Sequence, residues 1–134
     1  MEFAVQSRSK QTKAFIEALL PSMIKQLGLT RSKKLLFVKT ARTGLDGHDG
    51  LTSHLKKFDA IVVLIKPQNL ERMGITLAHE MVHVKQLAKG ILTSDSRGNY
   101  WRGRRYGART KYLDMPWEIE AFSKQELVFR RAIA

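Results

Sequence analysis

The sequence predicts one α+β domain built from a small β-sheet and three helices. Apolar residues recur at helical spacing near the start of the chain, an apolar and β-branched run lies in the middle, and two further helical patterns occupy the second half. The 134 residues are enough for one hydrophobic core, and no linker-like stretch divides them. We therefore expect residues 1–134 to form a single domain.

The composition restricts the class of protein and its surroundings. The chain is 43% hydrophobic and 27% charged, as folded domains are, and it has no apolar run of membrane-spanning length. Its N-terminus lacks the apolar core of a secretory signal. It contains no cysteine, which excludes disulfides and thiolate zinc sites. These features favour a cytoplasmic protein with no membrane partner.

The first elements follow from spacing and from turn residues. Residues 12–27 carry apolar side chains at helical spacing and are predicted as the N-terminal helix. We expect Pro21 to kink or split this helix and Gly28 to end it. Residues 35–38 are a predicted short strand. Residues 41–50 are a predicted loop, because three glycines alternate there with aspartates.

The middle of the chain carries the clearest strand and the second helix. Residues 58–65, FDAIVVLI, are apolar and β-branched and are followed by a lysine and a proline. Asn69 is a candidate N-cap for a helix over residues 72–89, and Gly90 is its expected end.

The last part of the chain is predicted as an irregular segment followed by a helix. Residues 91–115 mix glycines with arginines and show no clear period. Asp114 or Met115 can cap a final helix, with Pro116 in its first turn. This helix is predicted to extend to about residue 133.

The motif His79-Glu80-x-x-His83 lies within the second predicted helix. Two histidines four positions apart share one helix face, so both imidazoles can reach one Zn²⁺. Glu80 lies about 100° round the helix, where it can act on a water beside the metal. Gln86 falls on the same polar face, whereas the opposite face is apolar. We therefore predict one zinc ion with His79 and His83 as ligands.

A mononuclear catalytic zinc needs a third protein ligand and an open position for water. The longer motif with a third histidine is absent, because Gln86 and Lys89 stand where its glycine and histidine would be. The start of the final helix is the best source of a ligand, through Glu118 or Glu120. These two carboxylates are about 200° apart on a helix, so at most one should bind the metal.

HEMVHVKQ followed by PWEIEAF resembles the gluzincin side of the zincin metallopeptidases. It is similar in particular to small phage-type metallopeptidases that have a late P-W-E-x-E-A segment. The resemblance covers roughly residues 58–125 and implies a minimal zincin-like domain. It implies Glu118 as the third ligand, with Ala121 three positions later, and Glu120 as the alternate. Phe122 stands where gluzincins often have an aspartate.

The resemblance implies zinc-dependent hydrolysis of a peptide or isopeptide bond in a bacterial or phage-infected cytoplasm. Zn²⁺ held by the two histidines and Glu118 would lower the pKa of its water towards ~7, and Glu80 would act as general base. The strand at residues 58–65 would then be an edge strand to which a peptide substrate adds, and the alternative is an ordinary buried strand.

The donor that would steady the oxyanion is not identified by the sequence. Tyr100, Tyr106, Tyr112 and the nearby arginines are the candidates.

The second functional hypothesis comes from charge. The chain has 24 lysines and arginines against 12 acidic residues, a net charge of +12 that attracts polyanions. Residues 97–111 are predicted to form a mobile basic flap in which Arg102, Arg104 and Arg105 contact nucleic acid. The alternative function is therefore a nucleic-acid-associated protein with a structural or vestigial zinc site. The two ideas combine in SprT-like proteases, which act on DNA-bound proteins.

Overall fold

Two helices pack on one face of a four-stranded sheet, a third helix packs on these two, and a second sheet of three short strands lies beside them. The computed structural model describes all residues, 1–134. Its elements in chain order are β1 (Phe3–Gln6), α1 (Lys10–Gln26), β2 (Leu35–Thr40), β3 (Gly50–Leu55), β4 (Ala60–Ile65), α2 (Leu70–Ala88), β5 (Leu92–Asp95), β6 (Gly98–Trp101), β7 (Arg104–Tyr106) and α3 (Pro116–Ile133), with 3₁₀ turns at Lys56–Phe58 and Tyr112–Asp114. The predicted α+β class is confirmed.

The larger sheet has the strand order β1-β2-β4-β3. Strands β1, β2 and β4 are parallel, and β3 is antiparallel to β4. The prediction that residues 58–65 form an edge strand is therefore wrong, since β4 lies between β2 and β3. Its almost continuous apolar sequence is typical of a strand paired on both sides. The edge strand is β3, which the sequence did not reveal because its side chains are mostly polar.

The sheet has one buried face and one open face. The buried face packs against the helices through alternate residues of the two central strands, namely Leu36, Val38, Ile61, Val63 and Ile65. No helix covers the opposite face, where Leu35, Phe37 and Leu55 are 40–43% exposed. Because successive side chains of a strand point to opposite faces, the apolar residues lie on one face of the sheet. The helices, and the functional residues that they carry, therefore lie on that side of the sheet.

Helix α1 begins at a cap and passes through Pro21 without a break. The Ser9 hydroxyl accepts a hydrogen bond from the Thr12 amide, and the helix continues to Gln26. The predicted split at Pro21 is therefore wrong, because one helix continues through the proline. Buried residues on both sides of the proline, including Leu20 and Met23, hold the helix against the core.

The predicted limits of the other two helices are confirmed. Asn69 caps α2 by accepting from the Arg72 amide, and Gly90 follows the helix with a φ of 72°. Helix α3 begins with Pro116 at its first position, after Met115 as N-cap. Neither helix, nor α1, is long and apolar enough to cross a membrane.

Residues 91–115 are not irregular as predicted. Strands β5, β6 and β7 form an antiparallel sheet, and a 3₁₀ turn precedes α3. Arg102 and Gly103, with φ of 50° and 85°, make a two-residue hairpin turn between β6 and β7. The glycines therefore mark tight turns between strands, which is why a glycine-rich pattern resembled a loop.

Candidate metal centre

Helices α2 and α3 bring three buried side chains together. One oxygen of Glu118, on the first turn of α3, lies 3.0 Å from Nε2 of His79 and 3.1 Å from Nε2 of His83. All three residues are only 7% exposed. Capping by Met115 and Pro116 fixes where α3 starts, and hence where Glu118 points.

Gln86 fixes the orientation of the His83 ring. Its Nε2 donates to the carbonyl oxygen of Trp117 at 3.0 Å and to Glu120 at 3.1 Å, both of which only accept. The amide oxygen of Gln86 therefore faces His83 Nδ1, at 2.8 Å, and accepts its proton. In the neutral imidazole, this leaves the lone pair of Nε2 directed towards Glu118.

His79 is held in a similar way by α3. Its Nδ1 lies 2.8 Å from the side-chain oxygen of Gln125, and the ring of Phe122 meets it edge to face at 4.5 Å between centroids. The carboxylate that gluzincins often place at the position of Phe122 is thus replaced by an aromatic contact. Two glutamine amides, from Gln86 and Gln125, orient the outer nitrogens of the two histidines.

Glu80 lies beside this group and is held by strand β3. Its carboxylate accepts from the Thr52 hydroxyl at 2.7 Å, and its other oxygen lies 4.0 Å from Nε2 of His79. Gly50 leaves room for it, since a Cβ there would lie 2.8 Å from Cγ of Glu80. Burial raises the pKa of Glu80 and outweighs the lowering by His83 and Thr52. This carboxylate can therefore take up a proton more readily than an exposed one.

The charges of Glu118 and His83 support each other. Burial works against ionisation of Glu118, but hydrogen bonds from His79, His83 and Tyr112 lower its pKa to about 2. Burial would likewise lower the pKa of His83, but its hydrogen bond with Glu118 and the charges of both carboxylates raise it. A proton on His83 Nε2 thus occupies the space where a metal ion would bind.

Tyr112 is the tyrosine that reaches the site. Its hydroxyl donates to Glu118 at 2.9 Å, and its ring stacks on His48 at 5.3 Å between centroids. Burial and the charge of Glu118 raise its pKa, so the phenol keeps its proton. Tyr106 instead packs its ring against Trp117 and does not contact the two histidines or Glu118.

The other predicted site residues lie elsewhere. Glu120 faces away from the two histidines and accepts from Lys85 at 3.2 Å and from Gln86. The three arginines singled out for nucleic acid are on or between β6 and β7, namely Arg102, Arg104 and Arg105. Their guanidinium groups are exposed to solvent.

Two clefts flank the metal centre. One, of about 420 Å³, includes Arg72 and Phe122. The other, of about 450 Å³, includes His54 and Asn99. Four residues line both clefts and separate them, namely His48, Gly50, Glu80 and Tyr112. An extended substrate could therefore pass along β3 and across Glu80.

Sequence reasoning missed Thr52 and Gln125. Gln125 is seven residues after Glu118 and so lies on the same face of α3, which is a signal that the spacing contains. Thr52 had no such signal, because its role depends on the pairing of β3 with β4 and on the approach of α2.

The residues present fit a zinc ion. Two imidazole nitrogens and one carboxylate oxygen are ligands that zinc takes in catalytic sites. When both imidazoles carry their proton on Nδ1, the two Nε2 atoms and the carboxylate oxygen are all acceptors at 3.0–3.1 Å, an arrangement that a proton or a cation between them would satisfy. Ligand atoms of Glu80 and the two histidines also lie within 4.8 Å of one another, but the oxygen of Glu118 is nearer to both rings.

The comparisons with known proteins add no family to this description. No protein-family model matches the chain, and no curated protein or solved structure is significantly similar to it. The chemistry of the site is therefore inferred from its own residues.

Proposed function

We propose that this protein is a zinc-dependent hydrolase that cleaves a peptide or isopeptide bond. The observation that carries the proposal is the meeting of Glu118 with His79 and His83, because it joins residues of two helices that are 39 and 35 positions apart in sequence. The resemblance to gluzincins named the same three residues. Glu120, the alternate ligand, lacks any contact with the histidines, so we assign the third ligand to Glu118.

Each residue has a chemical role in this proposal. His79, His83 and Glu118 hold the ion. Bound zinc acidifies water and polarises a carbonyl group. Glu80 accepts the proton of the attacking water and delivers it to the leaving amine, a transfer that its raised pKa favours.

Tyr112 is the best candidate for the group that steadies the oxyanion. It is a protonated donor, and both clefts border it. In the metal-free arrangement it donates to Glu118. With the ion in place, the hydroxyl can turn to a substrate oxygen instead.

The test measures zinc and hydrolysis in the wild type and in Glu80→Gln. We expect near-equimolar zinc in both proteins, and cleavage of a mixed peptide library by the wild type alone. Gln preserves the shape of Glu80 but cannot take the proton, so the rate should fall by roughly 100-fold or more. Glu126→Gln, an exposed glutamate on α3, is the control and should behave as the wild type.

Three results would contradict the proposal. A protein that stays free of zinc during titration has no metal centre. Loss of zinc from Glu80→Gln would make Glu80 a ligand and not the base. If zinc binds and raises the melting temperature but no peptide is cleaved, the site is structural or vestigial.

A second candidate function is association with nucleic acid. It is favoured by the basic surface of the β5–β7 sheet, where Arg102 lies 5.9 Å from the ring centroid of Trp101 and Arg104 lies 5.4 Å from that of Tyr106. Neither arginine has a carboxylate oxygen within 4.0 Å. Stacked, unpaired guanidinium groups suit both phosphates and bases.

A further inference from the structure

A third cleft lies away from the metal centre. It is formed by the C-terminal ends of α1 and α2 and by one face of α3, has a volume of about 520 Å³, and shares no residue with the two clefts beside Glu80. It is lined by Lys85 and Lys89 from the end of α2 and by Lys124 and Arg131 from α3.

The positive charge of this cleft is not balanced. Glu120 is the carboxylate that pairs here, at 3.2 Å from Lys85 and 3.3 Å from Lys124. Lys89 and Arg131 have no carboxylate oxygen within 4.0 Å. Four cations therefore face one anion. A concave surface concentrates such a field more than a flat one does.

One of the four cations is largely covered by the cleft, and the other three are exposed. The side chain of Lys85 is only 14% exposed. The ammonium of Lys89 lies 2.8 Å from the position that a Cβ of Gly28 would occupy, so that a side chain at residue 28 would displace it. Gly28 has a φ of 68°, which glycine adopts without strain. Lys89 itself is exposed, and the absence of a side chain at residue 28 leaves room for its ammonium over the end of α1.

We propose that this cleft binds a phosphate group. A phosphate carries up to two negative charges and several acceptor oxygens, which match a surplus of cations approaching from two helices. The proposal is independent of zinc chemistry, because none of the four cations contacts His79 or His83. The phosphate could belong to a free small anion or to a nucleic-acid backbone, which the experiment separates.

The experiment follows amide NMR spectra of the zinc-loaded protein during titration with inorganic phosphate, at constant ionic strength adjusted with chloride. We expect saturable shifts at Gly28, Lys89, Ile91 and Arg131. The variant Lys89→Gln/Arg131→Gln should bind phosphate roughly tenfold or more weakly, since each lost bond to a charged group is worth more than 1 kcal/mol. The variant Arg8→Gln/Lys10→Gln removes the same charge from an exposed surface elsewhere and should keep the wild-type response.

A second titration uses a short DNA duplex. Shifts of the same amides by DNA, at concentrations where free phosphate has no effect, assign the cleft to a nucleic-acid backbone. Shifts by phosphate alone assign it to a small anion. The proposal is overturned if neither ligand shifts these amides, or if both double variants weaken binding equally. Should Lys89→Gln/Arg131→Gln fail to fold, Arg131→Gln alone, in the exposed last turn of α3, replaces it.

Zinc binding and phosphate binding are measured separately. Failure of the zinc proposal would appear in metal content and at amides near Glu80. Failure of the phosphate proposal would appear as an absence of shifts at the amides of Gly28 and Lys89.

Discussion

Glu118 and Glu120 are two positions apart on α3, yet they have different partners. Glu118 meets both histidine rings, whereas Glu120 forms ion pairs with Lys85 and Lys124. Glu120 reaches the centre only through Gln86, which it helps to hold against His83. Within one helical turn, α3 thus carries both the proposed ligand Glu118 and a residue, Glu120, that helps to orient His83 through Gln86.

We predict that Glu118→Ala weakens zinc binding far more than Glu120→Ala does. Loss of Glu118 removes a ligand, so affinity should fall by more than ~100-fold, beyond the range typical of outer residues. Loss of Glu120 removes only one hydrogen-bond partner of Gln86, so the zinc affinity should fall by about tenfold or less. Competition with a chromogenic chelator measures both. The reverse order would place Glu120 at the metal.

The pairing of His83 with Glu118 predicts how the stability of the metal-free protein depends on pH. The pKa of Glu118 is lowered from 4.5 to about 2, so its contribution is present above pH 4.5 and is lost as the pH falls towards 2. The pKa of His83 is raised above 6.5, so its contribution is present below pH 6.5 and is lost as the pH rises further.

We therefore expect the pair to stabilise the metal-free protein most between about pH 4.5 and 6.5. The measurement is the melting temperature across pH for the wild type minus that for Glu118→Gln, which removes the charge and keeps the shape. The difference should be largest in that window and shrink on both sides. A difference that does not vary with pH would show that the two groups are not an ion pair. Zinc should remove the decline on the alkaline side, because it replaces the proton on His83.

At the level of elements, the contact of α2 with α3 sets the metal centre. Gly74 lies in the middle of α2, where a glycine is unfavourable for a helix by about 1 kcal/mol. A Cβ at this position would lie 2.1 Å from a ring carbon of Phe129 on α3. The glycine therefore allows the two helices to approach closely enough for Glu118 to reach the histidines.

We predict that Gly74→Ala destabilises the protein by about 1–3 kcal/mol, because overpacking outweighs the gain in helix propensity. Zinc affinity should fall as well, since α3 must shift and it carries Glu118. Urea unfolding and zinc titration measure the two effects. Adding Phe129→Leu should restore part of each, and Gly107→Ala, where no atom lies within 4 Å of the new Cβ, should change neither. Unchanged stability in Gly74→Ala would contradict this account.

Helices were more predictable from sequence than strands, for a physical reason. The cap at Asn69 bonds to the Arg72 amide three residues later, and Pro116 favours the first position of a helix, so the sequence contains each of these signals locally. The pairing of β3 with β4, and of the three strands β5–β7, depends on neighbours that sequence periodicity does not identify when side chains are polar.

The same distinction holds in the candidate site. The histidines and Glu80 share one helix and were predicted together, and Glu118 followed from a resemblance. Thr52 depends on tertiary contact and could not be foreseen. Pro21 shows the converse case, because a local signal predicted a split helix, whereas α1 is continuous and packs into the core through Leu20 and Met23 on both sides of the proline.

Across the whole molecule, positive charge is distributed with few partners. Only five of the 24 lysines and arginines lie within 4.0 Å of a carboxylate oxygen. A net charge of +12 attracts polyanions from any direction. The question is whether nucleic acid, if it binds, uses the β5–β7 sheet or the general surface.

We predict that the β5–β7 sheet is the site of polyanion binding, and that Arg102→Ala/Arg104→Ala/Arg105→Ala weakens binding to short single- and double-stranded DNA and RNA. Each arginine that contacts a phosphate contributes about 0.9 to the slope of log affinity against log salt for duplex DNA, so the triple variant should lower this slope by up to ~3. The matched control, Arg8→Ala/Lys10→Ala/Lys13→Ala, removes the same charge from an exposed surface at the start of α1 and should lower the slope much less. Equal slopes and equal affinities for the two variants would remove the β5–β7 sheet as a specific site, because a field that depends on total charge responds to the number of cations and not to their position.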